Sequence, residues 1–303
     1  MVSDVLKVVN WEGFCDLLTD VDVKIRVENV FVTNGTILTQ RCLNMLQNVN
    51  VDYIQITLDG IKDTHDKRRI KLNGEGTFER IVGNITTLVK RSFQVVIRIN
   101  VDKRNEDSCI KLIEFLANKF DKRLWESGLI AIDIARVFGS PYSLSMSEFF
   151  EVKERMLSSA YDSGMFRAEI PAGTFACFCD AEKSSKDNLV IDEKGYVYKC
   201  WNYIFDENSA YGCLDTKGDL KITNPKGIDR YISELSLSNI MNDCFKCKWF
   251  PLCRGMCPDF RSRMFKGTEE PIYETGTCKN LVRNHVEFLL KLKLKEAKYA
   301  ESY

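Results

Sequence analysis

Residues 53–101 read YIQITLDGIKDTHDKRRIKLNGEGTFERIVGNITTLVKRSFQVVIRINV, and this stretch decides the fold. Two apolar runs rich in β-branched residues, 53–58 and 95–101, lie at its ends. Between them, apolar side chains recur every three or four residues from Phe78 to Val89, behind Thr77 as the expected helix cap. A strand, a helix and a second strand at this spacing predict a right-handed βαβ unit and therefore a parallel sheet.

Similar runs at 27–32 and 129–134 extend the pattern to four strands, and further helical patterns follow at 110–117 and from Ser147. Four strands are too few to close a barrel, so the prediction is an α/β fold with an incomplete parallel (β/α) partial TIM barrel. We expect this barrel to occupy residues 1–145, followed by a helical linker at 146–172 and a small cysteine-rich α+β domain at 173–303.

Composition excludes several functional classes. The 303 residues contain 43 basic and 43 acidic side chains, so no net charge favours nucleic acid or an anionic membrane. The sequence has no apolar run of the ~20 residues that span a bilayer, and Met1 is not followed by a signal-peptide pattern. We therefore expect a cytoplasmic protein that binds neither nucleic acid nor membrane.

Twelve cysteines are unevenly distributed along the chain. Cys15, Cys42 and Cys109 lie among apolar residues and are predicted to be buried in the core. The other nine fall between Cys177 and Cys278, with four of them in CFKCKWFPLCRGMC at 244–257. In a reducing compartment this density predicts a metal site, with an iron–sulfur cluster or structural zinc as the alternatives.

Short polar motifs follow three of the predicted strands: TNGT at 33–36, TLDG at 57–60 and NVD at 100–102. Each motif alone is also a common turn, because Asn-Gly and Asp-Gly adopt positive φ easily. On successive parallel strands, however, they fall at the carboxyl edge of the sheet, where ligands bind.

These motifs, in the order TNGTILT, ITLDGIKDTHDKRR, GEGTFERIVGNITTL and VVIRINVDKRN, resemble the later strands of the radical S-adenosylmethionine (SAM) superfamily's partial barrel. The resemblance covers about residues 1 to 140. It implies that Thr57 contacts SAM and that Arg69 binds its carboxylate, with Asn100 at the ligand end of the next strand. Asp59 is a further candidate, with turn formation as its alternative role.

The family's C-x3-C-x2-C cluster loop and its GGEP motif do not occur in the sequence. We expect both to lie upstream of Met1 in a longer protein, with a cluster-deficient paralogue as the alternative. The chain alone is expected not to cleave SAM.

The second half resembles the SPASM domain that follows the barrel in many radical SAM enzymes. Its pattern is Cys179, fifteen residues, Gly195, four residues and Cys200, then C-x2-C-x5-C-x3-C and Cys278. The resemblance implies two auxiliary [4Fe–4S] clusters. It further implies that auxiliary cluster II is held by Cys244, Cys247, Cys253 and Cys278. Cys257 joins Cys179 and Cys200 on auxiliary cluster I, whose fourth ligand is Cys177, Cys213 or an open site.

The resemblance implies an enzyme that modifies a peptide or protein by SAM-derived radical chemistry, with an electron donor such as flavodoxin or ferredoxin. A sulfatase-maturating type is one alternative, although that branch carries an aspartate where this chain has Trp201. An electron-transfer or zinc-binding module without SAM chemistry is the other. His285, in a charged amphipathic helical pattern, is predicted to be solvated.

Overall fold

The computed structural model describes residues 30–49, 51–165, 190–198, 200–204, 206–225, 242–253 and 277–300. The chain divides into two compact units, Met1–Ala168 with Leu290–Tyr303, and Glu169–Leu289.

The first unit contains a four-stranded sheet in which neighbouring strands are parallel and follow chain order. Its strands are β1 (Val30–Thr33), β2 (Tyr53–Thr57), β3 (Val95–Val101) and β4 (Ile130–Arg136). The parallel α/β arrangement predicted from the sequence is therefore confirmed.

Helices follow the strands. They are α1 (Gln40–Asn48), α2 (Lys62–Arg68), α3 (Phe78–Lys90), α4 (Glu106–Lys119), α5 (Lys122–Glu126) and α6 (Met146–Asp162). Three of them, α3, α4 and α6, lie where the apolar periodicity predicted a helix, whereas the shorter α1, α2 and α5 were not predicted. Helix α6 begins at Met146, one residue before the predicted Ser147, and Ser145 is its N-cap, because Ser145 and Glu148 form a reciprocal capping box.

One face of the sheet is covered and the other is partly open. Along β3, Val95, Ile97, Ile99 and Val101 are fully buried, whereas the residues between them are partly exposed. Six apolar side chains of α3 are also buried: Phe78, Ile81, Val82, Ile85, Leu88 and Val89. Burial of each such side chain stabilises the fold by roughly 1.5–3 kcal/mol, so this interface is a large part of the first unit's core.

The second unit contains an antiparallel sheet of four short strands, β5 (Val190–Ile191), β6 (Tyr196–Tyr198), β7 (Gly212–Leu214) and β8 (Leu220–Ile222). Helices α7 (Asn242–Phe245) and α8 (Phe250–Cys253) carry cysteines, and the long helix α9 spans Thr277–Ala300.

Two of the buried-or-exposed predictions for single residues were wrong. Cys42 is partly exposed on α1, where its Sγ accepts a hydrogen bond from Thr39 Oγ1 at 3.1 Å. His285 is 1% exposed and stacks on Phe288, with ring centroids 6.2 Å apart. Cys109 is buried as predicted, and burial raises the pKa of its thiol to about 12. Cys15 lies outside the described residues.

Within the described part of the chain, no helix is both long and apolar enough to cross a membrane.

Candidate functional site

The open face of the parallel sheet carries a row of polar side chains. Strand register places Thr57 beside Arg98, and Arg98 beside Asp133, on the same face as Asn100. The Arg98 guanidinium joins these residues, because Nη1 donates to Asp133 Oδ2 at 2.6 Å and Nε donates to Asn100 Oδ1 at 3.1 Å. Arg98 therefore forms a structural ion pair with Asp133, and it also orients the side chain of Asn100.

The turn after β2 contains Asp59, which the sequence predicts as a SAM ligand. Asp59 is 4% exposed, and its Oδ2 accepts a hydrogen bond from Arg69 Nε at 2.7 Å. The Arg68 Nε lies 3.7 Å from the same oxygen. Gly60 adopts φ +123°, and a Cβ there would overlap Ser108 Oγ, so only glycine fits the position. Asp59 therefore takes part in a turn that requires glycine at the next position, and its side chain also binds Arg69, so it fits the predicted turn without being only a turn former.

His65 ties this turn to the start of α3. It is fully buried, and its Nδ1 accepts from the Asp59 backbone N–H at 3.2 Å. Its Nε2 lies 3.0 Å from Thr77 Oγ1, which itself donates to the Arg69 carbonyl at 2.7 Å. Because the Thr77 proton is used in that bond, Nε2 carries the imidazole proton and donates it to Thr77. Burial lowers the pKa of His65 to about 4, so the ring is neutral at physiological pH.

Asp66 caps α3 from another helix. Its Oδ1 accepts from the backbone N–H groups of Thr77 at 2.8 Å and Phe78 at 2.9 Å. Burial acts to raise the pKa of Asp66, but hydrogen bonds from Phe78, Lys62 and Thr77 outweigh it and hold the pKa below its usual value. Thr77 occupies the predicted cap position, yet its side chain makes no capping bond. Gly76 is required here, since a Cβ would overlap the Asp66 carboxylate.

Asn105 joins the carboxyl ends of β2 and β3. Its Nδ2 donates to the Asp59 carbonyl at 3.0 Å and to the Asn100 carbonyl at 2.9 Å. Its Oδ1 accepts from the Asp102 N–H at 2.8 Å. The buried Asp102 carboxylate in turn accepts from Arg68 Nη1 at 2.9 Å and Arg104 Nη2 at 3.0 Å.

The turn after β1 is held in a similar way. Asn34 Oδ1 accepts from the Thr36 N–H at 3.0 Å, and Gly35 adopts φ +71°. Asn84, on α3, donates to the Gly35 carbonyl at 2.7 Å. The strand-end motifs of β1, β2 and β3 are therefore each fixed by side chains from the following elements.

Three of the four residues predicted to contact SAM, namely Asp59, Arg69 and Asn100, are joined in this one network. Asp59 and Arg69 are in direct contact, and Asn105 links Asp59 to Asn100. Thr57 is paired in register with Arg98 on β3, and it is 8% exposed. The sequence reasoning missed the supporting residues His65, Asp66, Asp102 and Asn105. The signal for them was present in the HDxxR and NVDKRN motifs, whose polar residues sit next to the predicted strand ends.

The thiols of four cysteines in the second unit, Cys244, Cys247, Cys253 and Cys278, are near enough for three of them to affect the pKa of the fourth. Burial raises the pKa of the Cys278 thiol, and the neighbouring Cys244, Cys253 and Cys247 raise it further, while a hydrogen bond from the Lys279 N–H acts in the opposite direction. Electrostatic influence falls with distance, so this set contains neighbours. Three of them lie on separate helices, since Cys244 is on α7, Cys253 is on α8 and Cys278 is in the first turn of α9, and Cys247 lies between α7 and α8.

Backbone hydrogen bonds shape the C-x2-C turn. The Cys247 N–H donates to the Cys244 carbonyl at 3.0 Å, and the Phe250 N–H donates to the Cys247 carbonyl at 3.0 Å. Among the described residues, no three His, Cys, Asp or Glu side chains are arranged to hold a single metal ion. A cubane cluster differs from a single ion, because each thiolate binds a different iron corner. A thiol set from α7, α8 and α9 has the donor chemistry that such a cluster requires.

The remaining predicted ligands are only partly described. Cys200 follows β6 and is partly exposed, and Cys213 lies within β7, paired in register with Tyr196. Cys177, Cys179 and Cys257 lie outside the described residues.

Comparisons with known proteins found relatives of this chain in sequence and in structure. No family model matches the chain. A cysteine-type anaerobic sulfatase-maturating enzyme of Clostridium novyi (strain NT) is 27% identical over 275 residues, covering 84% of this chain and 68% of that protein. The corresponding enzyme of Clostridium perfringens (strain ATCC 13124) is 22% identical, covering 77% of this chain and 65% of that protein. An AdoMet-dependent heme synthase of Methanosarcina barkeri (strain Fusaro) is 35% identical over 94 residues, 31% of this chain and 26% of that protein.

Two solved structures share the fold. A structure described as anSMEcpe with bound AdoMet matches 94% of this chain and 77% of its own, with a TM-score of 0.58 and 18% identity. A structure of native anSMEcpe with bound AdoMet and Cp18Cys peptide matches 94% of this chain and 81% of its own, with a TM-score of 0.57 and 18% identity. The chain spans about two thirds of the length of the sulfatase-maturating relatives that it matches.

Proposed function

We propose that this chain, a member of the radical SAM family, contributes the SAM-binding edge and the auxiliary cluster domain of an enzyme that modifies a peptide or protein. The observation that carries the proposal is the network at the carboxyl edge of the parallel sheet. There Asp59, Arg69 and Asn100, three of the residues that the family resemblance assigns to SAM, are held by hydrogen bonds that join the strand-end motifs of β2 and β3.

In this proposal Arg69 binds the SAM carboxylate. Its side chain is 33% exposed and is held through Nε, and among the described residues Nη1 and Nη2 have no hydrogen-bond partner. Two parallel N–H donors on a fixed plane match the geometry of a carboxylate. Asn100 and Thr57 lie on the open face of the sheet, on neighbouring strands. When bound and cleaved, SAM supplies the radical that removes hydrogen from the substrate.

The second unit would hold two auxiliary [4Fe–4S] clusters. The proximity of Cys278 to Cys244, Cys247 and Cys253 supports their assignment to auxiliary cluster II. Auxiliary cluster I would use Cys179, Cys200 and Cys257, with Cys177, Cys213 or an open site in the fourth position. Four thiols also suit zinc, so metal identity has to be measured. A cytoplasmic flavodoxin or ferredoxin would supply the electrons.

The substrate class is a peptide or protein. The sulfatase-maturating relatives and the peptide-bound anSMEcpe structure favour a more specific second candidate, oxidation of a cysteine or serine to formylglycine in a sulfatase. Against it stands Trp201, at the position where the family resemblance implies an aspartate. In a longer protein that also contains a C-x3-C-x2-C loop, incubation with SAM, reductant and a cysteine-containing sulfatase peptide would separate the two, because formylglycine is an aldehyde and can be trapped by a hydrazide.

SAM binding tests the first part of the proposal on the chain itself. Equilibrium dialysis under anaerobic conditions should show that SAM binds about ten-fold more tightly than 5′-methylthioadenosine, which lacks the amino-acid group, since a charge-assisted bidentate pair is worth roughly 1.5–3 kcal/mol. Arg69→Ala should abolish this preference. Equal affinity of the folded wild-type protein for both ligands would contradict the assignment of Arg69.

A further inference from the structure

The side chain of Asp59 binds Arg69 through the guanidinium Nε, and hydrogen bonds also hold the main chain of the turn that contains Asp59. The Asp59 N–H is bound by His65 Nδ1 and its carbonyl by Asn105 Nδ2, so the main chain is restrained on both sides. The Asp59 side chain is 6% exposed, whereas that of Arg69 is 33% exposed.

The contact uses only one of the three guanidinium nitrogens. Arg69 donates Nε to Asp59 Oδ2 at 2.7 Å. A carboxylate on Nε fixes the plane of the guanidinium group and leaves the edge formed by Nη1 and Nη2 for a second carboxylate. A long arginine side chain without such a restraint loses rotamer freedom when it binds a ligand, and that loss weakens binding.

We propose that Asp59 is a positioning residue that holds Arg69 ready to bind the carboxylate of SAM. This inference rests on the proposed function and adds to it. Asp59 acts through Arg69 and does not itself contact the ligand, which differs from its expected role as a direct contact. Its negative charge also offsets the nearby Arg68, so the turn does not accumulate uncompensated positive charge.

A double-mutant cycle separates this role from a general structural one. Affinities for SAM and for 5′-methylthioadenosine are measured with the whole chain for the wild type, Asp59→Asn, Arg69→Ala and the double variant. Asp59→Asn should weaken SAM binding by about ten-fold, because a charge-assisted bond becomes a neutral one and Arg69 is released. It should change binding of 5′-methylthioadenosine less than two-fold, and it should have no further effect on SAM once Arg69 is already alanine.

Asp121→Asn is the matched control. Asp121 forms an Asp–Arg pair with Arg123 before β4, at the amino end of that strand, and its loss should leave both affinities unchanged. If Asp59→Asn does not fold, Asp59→Glu serves instead, because the longer side chain keeps the charge but moves the carboxylate relative to Arg69 Nε, and it should weaken SAM binding with the same selectivity. Arg69→Lys tests the bidentate contact itself. Lysine keeps the charge but lacks the planar pair of donors, so SAM should lose its advantage as it does in Arg69→Ala.

The outcomes distinguish the inference from the function on which it rests. Without a wild-type preference for SAM, the assignment of Arg69 fails, and the role of Asp59 fails with it. If the preference exists but Asp59→Asn leaves it intact, or weakens both ligands equally, only the inference is overturned. It is also overturned if Asp59→Asn weakens SAM binding as strongly in the Arg69→Ala background as in the wild type. Full preference in Arg69→Lys would instead overturn the bidentate contact assigned to Arg69, and with it the proposed function.

Discussion

Replacing His65 by asparagine should remove one identifiable source of pH dependence from the stability of the fold. Asparagine Oδ1 can still accept from the Asp59 N–H, but the hydrogen bond to Thr77 and the edge contact with Phe78 are lost. At pH 7.5 this loss should lower the free energy of unfolding by about 2 kcal/mol.

The pH dependence has a definite sign. The unfolded chain protonates His65 near pH 6.5, whereas the folded chain does so only at about pH 4, because burial penalises the charged ring. Between these values the unfolded state binds more protons, so the wild type becomes less stable as the pH falls. A pKa shift of that size corresponds to about 3 kcal/mol, all of it absent from the His65→Asn variant.

Urea unfolding of both proteins from pH 7.5 to pH 4 measures this difference. The wild-type advantage should shrink to nothing, or reverse, across the window. Thr77→Val is the control, since it removes a partner of His65 but leaves the titrating ring, and its pH dependence should follow the wild type. The chain has only two histidines, so proton NMR can also follow the His65 ring directly after assignment with the variant. Parallel stability curves, or a His65 midpoint near 6.5, would refute the buried neutral histidine.

The other predictions concern capping, glycine and the cysteine cluster. Asp66→Ala should lower the free energy of unfolding by about 1–2 kcal/mol in a urea titration, because the N–H groups of Thr77 and Phe78 at the start of α3 lose their acceptor. The control Asp63→Ala removes an exposed side chain and should cost under about 0.5 kcal/mol. Equal costs would argue against the cap. Gly76→Ala should destabilise the fold, because its Cβ would overlap Asp66. Gly83 lies in open space on α3, so Gly83→Ala should stabilise the fold by about 0.5–1 kcal/mol. Melting temperatures in the opposite order would be inconsistent with the described packing. Cys278→Ser should remove about four irons from reconstituted protein and Cys213→Ser fewer, as measured by iron analysis; unchanged iron in a folded Cys278→Ser variant would exclude that ligand.

The sheet could be predicted because its strands are continuous β-branched runs between helical periods. Val95–Val101 is an example, since the observed strand coincides with the predicted one. The position of α3 was equally clear from its apolar spacing, but the origin of its cap was not. A threonine before an apolar run looks like a local cap, whereas Asp66 reaches the helix only after the chain has folded back.

His285 shows a different limit. It lies three residues after Val282 and four before Leu289, on the apolar stripe of α9, so the signal for burial was present. The charged residues on the rest of the helix led to the wrong prediction that His285 is exposed. Contacts made by Asn105 were beyond sequence reasoning, since one amide group binds two carbonyls from strands that are distant in sequence.

Iron and acid-labile sulfide per chain, measured after anaerobic reconstitution, test the central claim most directly. The proposed assignment predicts about eight irons with matching sulfide, from two cubane clusters. The same preparation, given SAM and dithionite, should release no 5′-deoxyadenosine, because the sequence contains no C-x3-C-x2-C loop. Stoichiometric zinc with little sulfide would contradict the cluster assignment and with it the radical chemistry proposed for the second unit.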